Sequence, residues 1–425
     1  MNDDEEIQQM TPPQKRPLLL YALFTASAIS YVGDVLTLLA IPWFVLTTTG
    51  SITKTGITAF FSTLPTVLAA FFGSVFIDRV GYKRTSVLSD IASAVSVALI
   101  PLLYHTVGLA FWQLLVLVFL GGLLKSPGST ARTAMVPELV EAAQMRLERA
   151  NAINDGVSRI SNFIGAPLAG VLIAFIGTSN LLWFDGASFA LSALFIGIAI
   201  PTALVKHAAK EESKSNYWAD LRDGWRFIGH DSVILAIVIT VMITNLLDNA
   251  FISVIGPAYI KQVFNSAVPL GLIFAAFGGA AFVGNIIFAA IGHRLPRRLT
   301  FGVGFVIGGA ARFWILLIPI LPLLVVVYAI AGLAAAPINP LIDTLAFERI
   351  PKEMRARVFG SIIAGAFVGI PLGTLLSGYI VPLVGLRMSL VVIGALYLLT
   401  TCSLLVNPAL KKMDGKKVEP PKVIE

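Results

Sequence analysis

The sequence predicts an all-α membrane protein, with twelve transmembrane helices in two pseudo-symmetric six-helix bundles. Three observations carry that expectation. The first is composition: 56% of the 425 residues are hydrophobic and only 13% are charged, about half the charge of a soluble domain. The second is that apolar runs of about 20 residues, the length that crosses a bilayer, recur twelve times. The third is that the cations between those runs are sorted by side.

The runs fall at 18–46, 53–77, 85–106, 111–136, 151–176, 180–202, 232–259, 267–292, 299–318, 321–346, 357–382 and 388–407. Alternate connections hold 24 of the 31 Lys and Arg; the opposite connections hold only Lys54, Lys261 and Arg387. Short loops rich in Lys and Arg stay cytoplasmic, so both termini are expected in the cytoplasm of a bacterial inner-membrane protein. The acidic start, Asp3-Asp4-Glu5-Glu6, lacks the cationic opening of a signal peptide. The formal charge of +7 is therefore topogenic, and no nucleic-acid partner is expected.

The longest polar stretch separates six runs from six. It divides the chain into an N-terminal tail (1–17), a bundle (18–202), a linker (203–231), a second bundle (232–407) and a C-terminal tail (408–425). Within the linker, Trp218, Leu221, Trp225 and Ile228 recur at helical spacing. They predict an amphipathic helix on the cytoplasmic membrane face, or else a docking surface for a partner.

The halves repeat. Gly73-x7-Gly81 followed by Lys83-Arg84 is echoed by Gly284-x7-Gly292 followed by Arg294, although Ala289 stands where Asp78 would be. Gly165-Ala-Pro167 in the fifth run returns as Gly369-Ile-Pro371 in the eleventh, and Asp34 and Asp248 lie equally deep in the first and seventh. Weak internal symmetry of this kind marks transporters that bind at the midplane between repeats.

These features together resemble the major facilitator superfamily, over roughly residues 17–407. Its turn signature is carried here by Gly73, Asp78, Arg79, Gly81, Lys83 and Arg84. Asp34 after Gly33, Asp90, Asp185-Gly-Ala-Ser-Phe189 and Trp218–Phe227 resemble its macrolide-efflux and enterobactin-exporter branch of drug:proton antiporters. Trp112-Gln113 stands where members with a strong fourth-span signature carry an arginine. The resemblance implies export of a small lipophilic compound driven by proton entry, with protons as the coupling ion and no other cofactor. A siderophore or lipid exporter is an alternative, as is a non-transporting membrane sensor; a monomer is expected. Asp78 would brace the start of span 11, around Phe359-Gly360-Ser361. Gly165, Pro167, Gly170, Gly369, Pro371 and Gly373 would allow close approach and bending in spans 5 and 11.

An ion at the bilayer centre costs about 2.5–3.5 kcal/mol on insertion scales, so each should face the bundle interior or a cavity. Asp34 is the candidate proton carrier, or else the fixed partner of Lys125 at similar depth in span 4. Asp248, flanked by Asn245 and Asn249, is expected to be hydrogen-bonded by them in a substrate-facing cluster. Asp155 and Arg159 are spaced to pair along one helix face. Arg132 is expected to snorkel or to join Asp155 in an inner gate, with Asp343 at the inner mouth. Arg312 is expected to snorkel outward, and Asp185 to organise the start of span 6. Phe60, Phe61, Phe71, Phe72, Phe251 and Phe282 are candidates for an apolar cavity lining.

No enzyme constellation emerges. The four histidines lie near span ends without ligand spacing, so no metal site is expected. The single Cys402 excludes a disulfide framework. Glycine runs such as Gly308-Gly309 sit inside spans and read as helix packing rather than a phosphate cradle.

Overall fold

A computed structural model describes residues 17–202, 204, 217–351 and 354–413, and these are helical apart from short connections. The helices are α1 (Pro17–Thr49), α2 (Ile52–Val80), α3 (Tyr82–Thr106), α4 (Phe111–Ala143), α5 (Leu147–Ala199), α6 (Tyr217–His230), α7 (Ser232–Ala250), α8 (Gly256–Phe264), α9 (Val268–Ile291), α10 (Arg297–Trp314), α11 (Leu321–Ala335), α12 (Ile338–Arg349), α13 (Arg355–Val384) and α14 (Leu386–Val406). Two predicted spans are interrupted. A π-helical turn, Phe251–Ile255, joins α7 to α8, and α12 follows α11 across Pro337.

The 53 residues of α5 would reach about 80 Å if straight, far more than the roughly 30 Å hydrocarbon core. The helix instead turns at Gly177, whose φ of 77° and ψ of 161° are non-helical. Gly165 in its first arm faces Val35 of α1, while Asp185 and Ser188 in its second arm face Gly33 of α1. Both arms therefore meet α1 at one depth, and α5 is two antiparallel passes. Among the described residues ten helices are long and apolar enough to cross a membrane; with the second arm of α5, and with α2, the passes described number twelve.

The repeat is kept in the backbone, but not where the charged turn suggested. Gly385, between α13 and α14, has φ 83° and ψ 155°, matching Gly177 between the last two passes of the first half. By contrast, Gly81 has φ 86°, whereas its sequence echo Gly292 is right-handed, with φ −57°. Only Gly81 needs the freedom of glycine. The second motif pair does keep its geometry. Gly165 packs on α1, and Gly369 packs on the Met242 carbonyl of α7, the equivalent helix.

The halves are joined closely towards the end bearing Lys54, Lys261 and Arg387. Gly56 of α2 lies against Gly378 of α13, and Gly170 of α5 lies against Gly271 of α9. The two crossings are images of each other under an offset of about 210 residues, as duplicated halves require. Lys261 Nζ adds a hydrogen bond across the halves to the Leu46 carbonyl, at 2.7 Å. A methyl group on Gly56 would come within 2.5 Å of the Gly378 Cα, so backbone would have to move. Gly56→Ala should therefore force this end apart, lengthening spin-label distances between α2 and α13 there; unchanged distances would show that the crossing tolerates a side chain.

The linker helix α6 does not lie free on a membrane face. Ile228 is fully buried with Ile234, Val238, Ile350 and Val358, and Trp225 covers Gly365 of α13. The Ser361 hydroxyl donates to the Leu221 carbonyl at 3.3 Å, and Arg357 approaches Asp223 at 3.8 Å. From Leu221 to Ile228 α6 thus packs on the second half of its own chain; the side chain of Trp218 lies outside the described residues. Asp231 caps α7, its Oδ1 accepting from Val233 N at 2.9 Å and Ile234 N at 3.1 Å. Its Oδ2 holds Arg349 of α12 at 2.8 Å. Beyond α14, Leu410 and Met413 are buried, so the start of the expected C-terminal tail is part of the packed structure.

Candidate transport site

Each half encloses a cavity of about 300 Å³ between equivalent helices. The first, about 300 Å³, is lined by α1, α2, α3, α4 and the second arm of α5, with Ser253 of the π-helical turn reaching it from the other half. The other, about 310 Å³, is lined by α7, α9, α10, α11, α12 and α14. Both sit at the small end of the range for ligand pockets. Each also contains an acid from the first helix of its half, Asp34 in one and Asp248 in the other.

In the first half, Lys125 Nζ of α4 meets Asp34 Oδ1 of α1 at 2.8 Å. The pair is partly open to the cavity, with side-chain exposures of 39% for the lysine and 22% for the acid. The remaining wall is mainly apolar, including Leu38, Ile41, Val97, Leu117 and Phe189. Ser62 and Thr63 also line it, but their hydroxyls donate to the Thr58 and Ala59 carbonyls of their own helix. Turning back in this way satisfies these two hydroxyls without water. Asp34–Lys125 is thus the one ion pair facing this cavity among the described residues.

Beside it, Asp185 is fully buried and accepts from Thr37 Oγ1 of α1 and weakly from Ser188 Oγ. It stands in the body of the second arm of α5, not at a helix start, so the expected capping role is corrected. Gly33 makes this possible: a Cβ there would lie 2.6 Å from Asp185 Oδ1. Asp185 also lies within electrostatic reach of Asp34 and Lys125.

Arg132 neither snorkels nor joins Asp155. It is buried, its Nη1 donates to both carboxylate oxygens of Asp90 of α3, at 2.8 and 2.9 Å, and its Nη2 donates to Ser30 of α1 at 3.2 Å. Ser192 of α5 completes the network on Asp90 at 2.6 Å. Four elements of the first half converge on one ion pair. The reason is dielectric: a guanidinium in a span needs a desolvated carboxylate and further hydrogen bonds, and the exposed Asp155 offers neither.

In the second half, Arg312 does not point outward. It is 8% exposed, forms an ion pair with Asp248, and stacks within 5.3, 4.8 and 5.5 Å of the Phe277, Phe313 and Tyr397 rings. Desolvated guanidinium–ring contacts of this kind are worth up to about 2 kcal/mol. Asn245 and Asn249 do not serve Asp248, because their amides donate to the Ala366 and Asn245 carbonyls, at 2.9 and 3.0 Å. Asp155 and Arg159 form no ion pair among the described residues. Arg159, from the first half, instead lines the cavity of the second.

Of the remaining candidates, Lys83 Nζ donates to the Gly197 carbonyl at 2.9 Å, at the end of α5, where a cation is favoured by the helix dipole. Arg84 and Asp343 are exposed. Glu348, near Asp343, is held by Arg297 at 2.6 and 2.9 Å. The side chains of Asp78 and Arg79 lie outside the described residues, as do Gly73, Phe71 and Phe72. Phe251 is a core residue packed on Phe313 and Tyr328, not a lining residue. The cavity aromatics are Phe189 in the first half and Phe277, Phe305 and Tyr397 in the second.

Two six-pass halves, joined closely at one end and each holding an acid in a cavity, define a membrane transporter built from a repeat. The chain belongs to the Major Facilitator Superfamily, whose sequence profile matches residues 23–247 and 238–424. It is 30% identical over 412 residues to a multidrug efflux pump, Tap, of Mycolicibacterium fortuitum, covering 95% of this chain and 99% of that one. It is 20% identical to macrolide efflux protein A of Streptococcus pyogenes, covering 94% and 98%. Among solved structures, it resembles the nucleoside transporter NupG, with TM-score 0.75, 12% identity, and 91% and 98% coverage. It also resembles a bacterial homologue of the lysosomal transporter Spinster in an inward-facing, unoccupied conformation, with TM-score 0.73, 14% identity, and 95% and 99% coverage.

Proposed function

We propose that the protein is a proton-coupled exporter of small lipophilic compounds, working by alternating access between its two halves. One observation carries the reading: the Asp34–Lys125 pair, partly exposed, in a mainly apolar cavity of a major facilitator fold. A lipophilic cargo fills such a wall, while a proton on Asp34 dissolves the ion pair and changes what the cavity holds. The whole-length relatives named for multidrug and macrolide efflux support the cargo class.

In this reading the cation-rich end is cytoplasmic, and the Gly56–Gly378 and Gly170–Gly271 crossings close the periplasmic end. Asp34 then receives its proton when those crossings open, and Lys125 regains its partner when the proton leaves inwards. A substrate-panel efflux assay in pump-deficient cells, with and without a protonophore, tests the assignment. Efflux of lipophilic dyes that stops with the protonophore supports it; no efflux, or efflux indifferent to the gradient, overturns it.

Lys261 has a defined part in the cycle. Its ammonium sits on the carboxyl end of α1, where a cation gains about 0.3–1 kcal/mol. Conformational gaps are a few kcal/mol, so that contribution biases the equilibrium without fixing it. Lys261→Met is expected to raise the periplasm-open population about two- to fivefold, read by accessibility of a cysteine placed in the first cavity. Lys261→Arg should stay close to the parent.

A further inference from the structure

The second cavity differs from its counterpart in charge. Two guanidiniums, Arg159 and Arg312, line it against a single carboxylate, Asp248. Asp248 already neutralises Arg312, so the unbalanced charge is that of Arg159. That arginine comes from α5 of the opposite half and has no ion-pair partner among the described residues. The wall between them carries amides, Asn285 and Asn339, whereas the uncharged polar groups of the first cavity are hydroxyls such as Ser62 and Thr66. Arg312 Nε is buried without a hydrogen-bond partner, as is the hydroxyl of Tyr328, which does not itself line the cavity. Buried orphans of this kind are rare unless a water or a ligand group completes them.

We infer that this cavity is a subsite for a monoanionic group of the cargo, a carboxylate or sulfonate, held between Arg159 of one half and the amides and Arg312 of the other. The cargo class is then an amphiphile whose apolar body occupies the space between the halves and whose acid reaches into the second. Arg159 is the specificity-determining residue: its planar donors suit an oxyanion, and an uncharged cargo leaves it in water. Lipophilic cations are disfavoured here, since they would face Arg159 with Asp248 already taken. Because Arg159 approaches from the first half, an anion bound to it also spans the two bundles.

This inference rests on the exporter reading, and the test keeps the two apart. The probes are a matched pair, N-phenyl-1-naphthylamine and its sulfonate, 1-anilinonaphthalene-8-sulfonate, with ethidium as the cationic control. Binding is measured by equilibrium dialysis to the full chain in lipid nanodiscs, against empty nanodiscs. The sulfonate should bind the parent protein at least about tenfold more tightly than the neutral amine. Arg159→Gln should remove that preference, leaving the neutral amine unchanged, and Arg159→Lys should keep part of it. Equal affinities for the two probes in the parent, equal weakening of both in Arg159→Gln, or tighter ethidium binding overturns the inference. Efflux of the neutral amine from pump-deficient cells tests the exporter reading alone. If that efflux is present while the sulfonate preference is absent, only the anionic subsite fails.

Discussion

Asp34→Asn is expected to abolish gradient-driven efflux while leaving cargo binding measurable. The amide fits the same space but cannot exchange a proton, and Lys125 loses its counter-charge 2.8 Å away. The apolar wall that would hold the cargo is untouched. Efflux should fall about tenfold or more, a barrier change of at least about 1.4 kcal/mol, in energised cells loaded with a lipophilic dye. Unchanged accumulation of that dye would remove Asp34 from the coupling step. A second variant separates chemistry from charge balance. Asp34→Asn with Lys125→Gln restores local neutrality without a titratable group. It should stay inactive if protonation matters, and recover if only the unpaired lysine harmed the single variant.

The fold was legible because a bilayer imposes length and the cytoplasm collects cations. Twelve runs, the polar linker and the sorted loops specify two six-helix halves before any contact is known. Partner choice was much less legible, and the failures share a cause. A spanning helix is apolar nearly all round, so its sequence does not say which way a charged residue points. Local spacing then becomes tempting. Asp155 with Arg159, and Asp248 with Asn245 and Asn249, were the pairings it offered, and none of them forms. An i,i+4 pair is worth a few tenths of a kcal/mol, whereas an unpaired ion in the interior costs several. Long-range pairing therefore decides.

One signal would have found the missed arginine. Arg312 and Asp248 are the two ions deepest in the spans of the second half, and intramembrane ions pair with one another. Asp90 and Arg132 answer to the same rule in the first half. The charged turn at Gly73–Arg84 shows the converse. Its sequence echo at Gly284–Gly292 kept the glycine but not the left-handed backbone, because α9 ends in a 3₁₀ turn at Gly292–Arg294 rather than reversing directly. The conformational echo is Gly177 and Gly385, which no shared charge pattern marks.

The second large effect belongs to Arg132→Met. Asp90 and Arg132 are 4% and 3% exposed, and the guanidinium reaches α3 and α1 while Ser192 brings in α5. Removing the cation leaves a carboxylate sealed among four helices with only a serine for company. Stranding one partner of a buried pair costs about 3–5 kcal/mol, a large part of a typical margin of about 5–15 kcal/mol. The variant should therefore fold poorly or melt far below the parent in detergent. Replacing the acid as well, Asp90→Leu with Arg132→Met, removes both desolvation penalties and should recover most of the loss. Because none of the network residues lines the Asp34 cavity, the recovered double variant should also retain efflux. A stable double variant without transport would mean that the pair acts in the conformational cycle; one no more stable than Arg132→Met would mean that the serines, and not the ion pair, hold the four helices together.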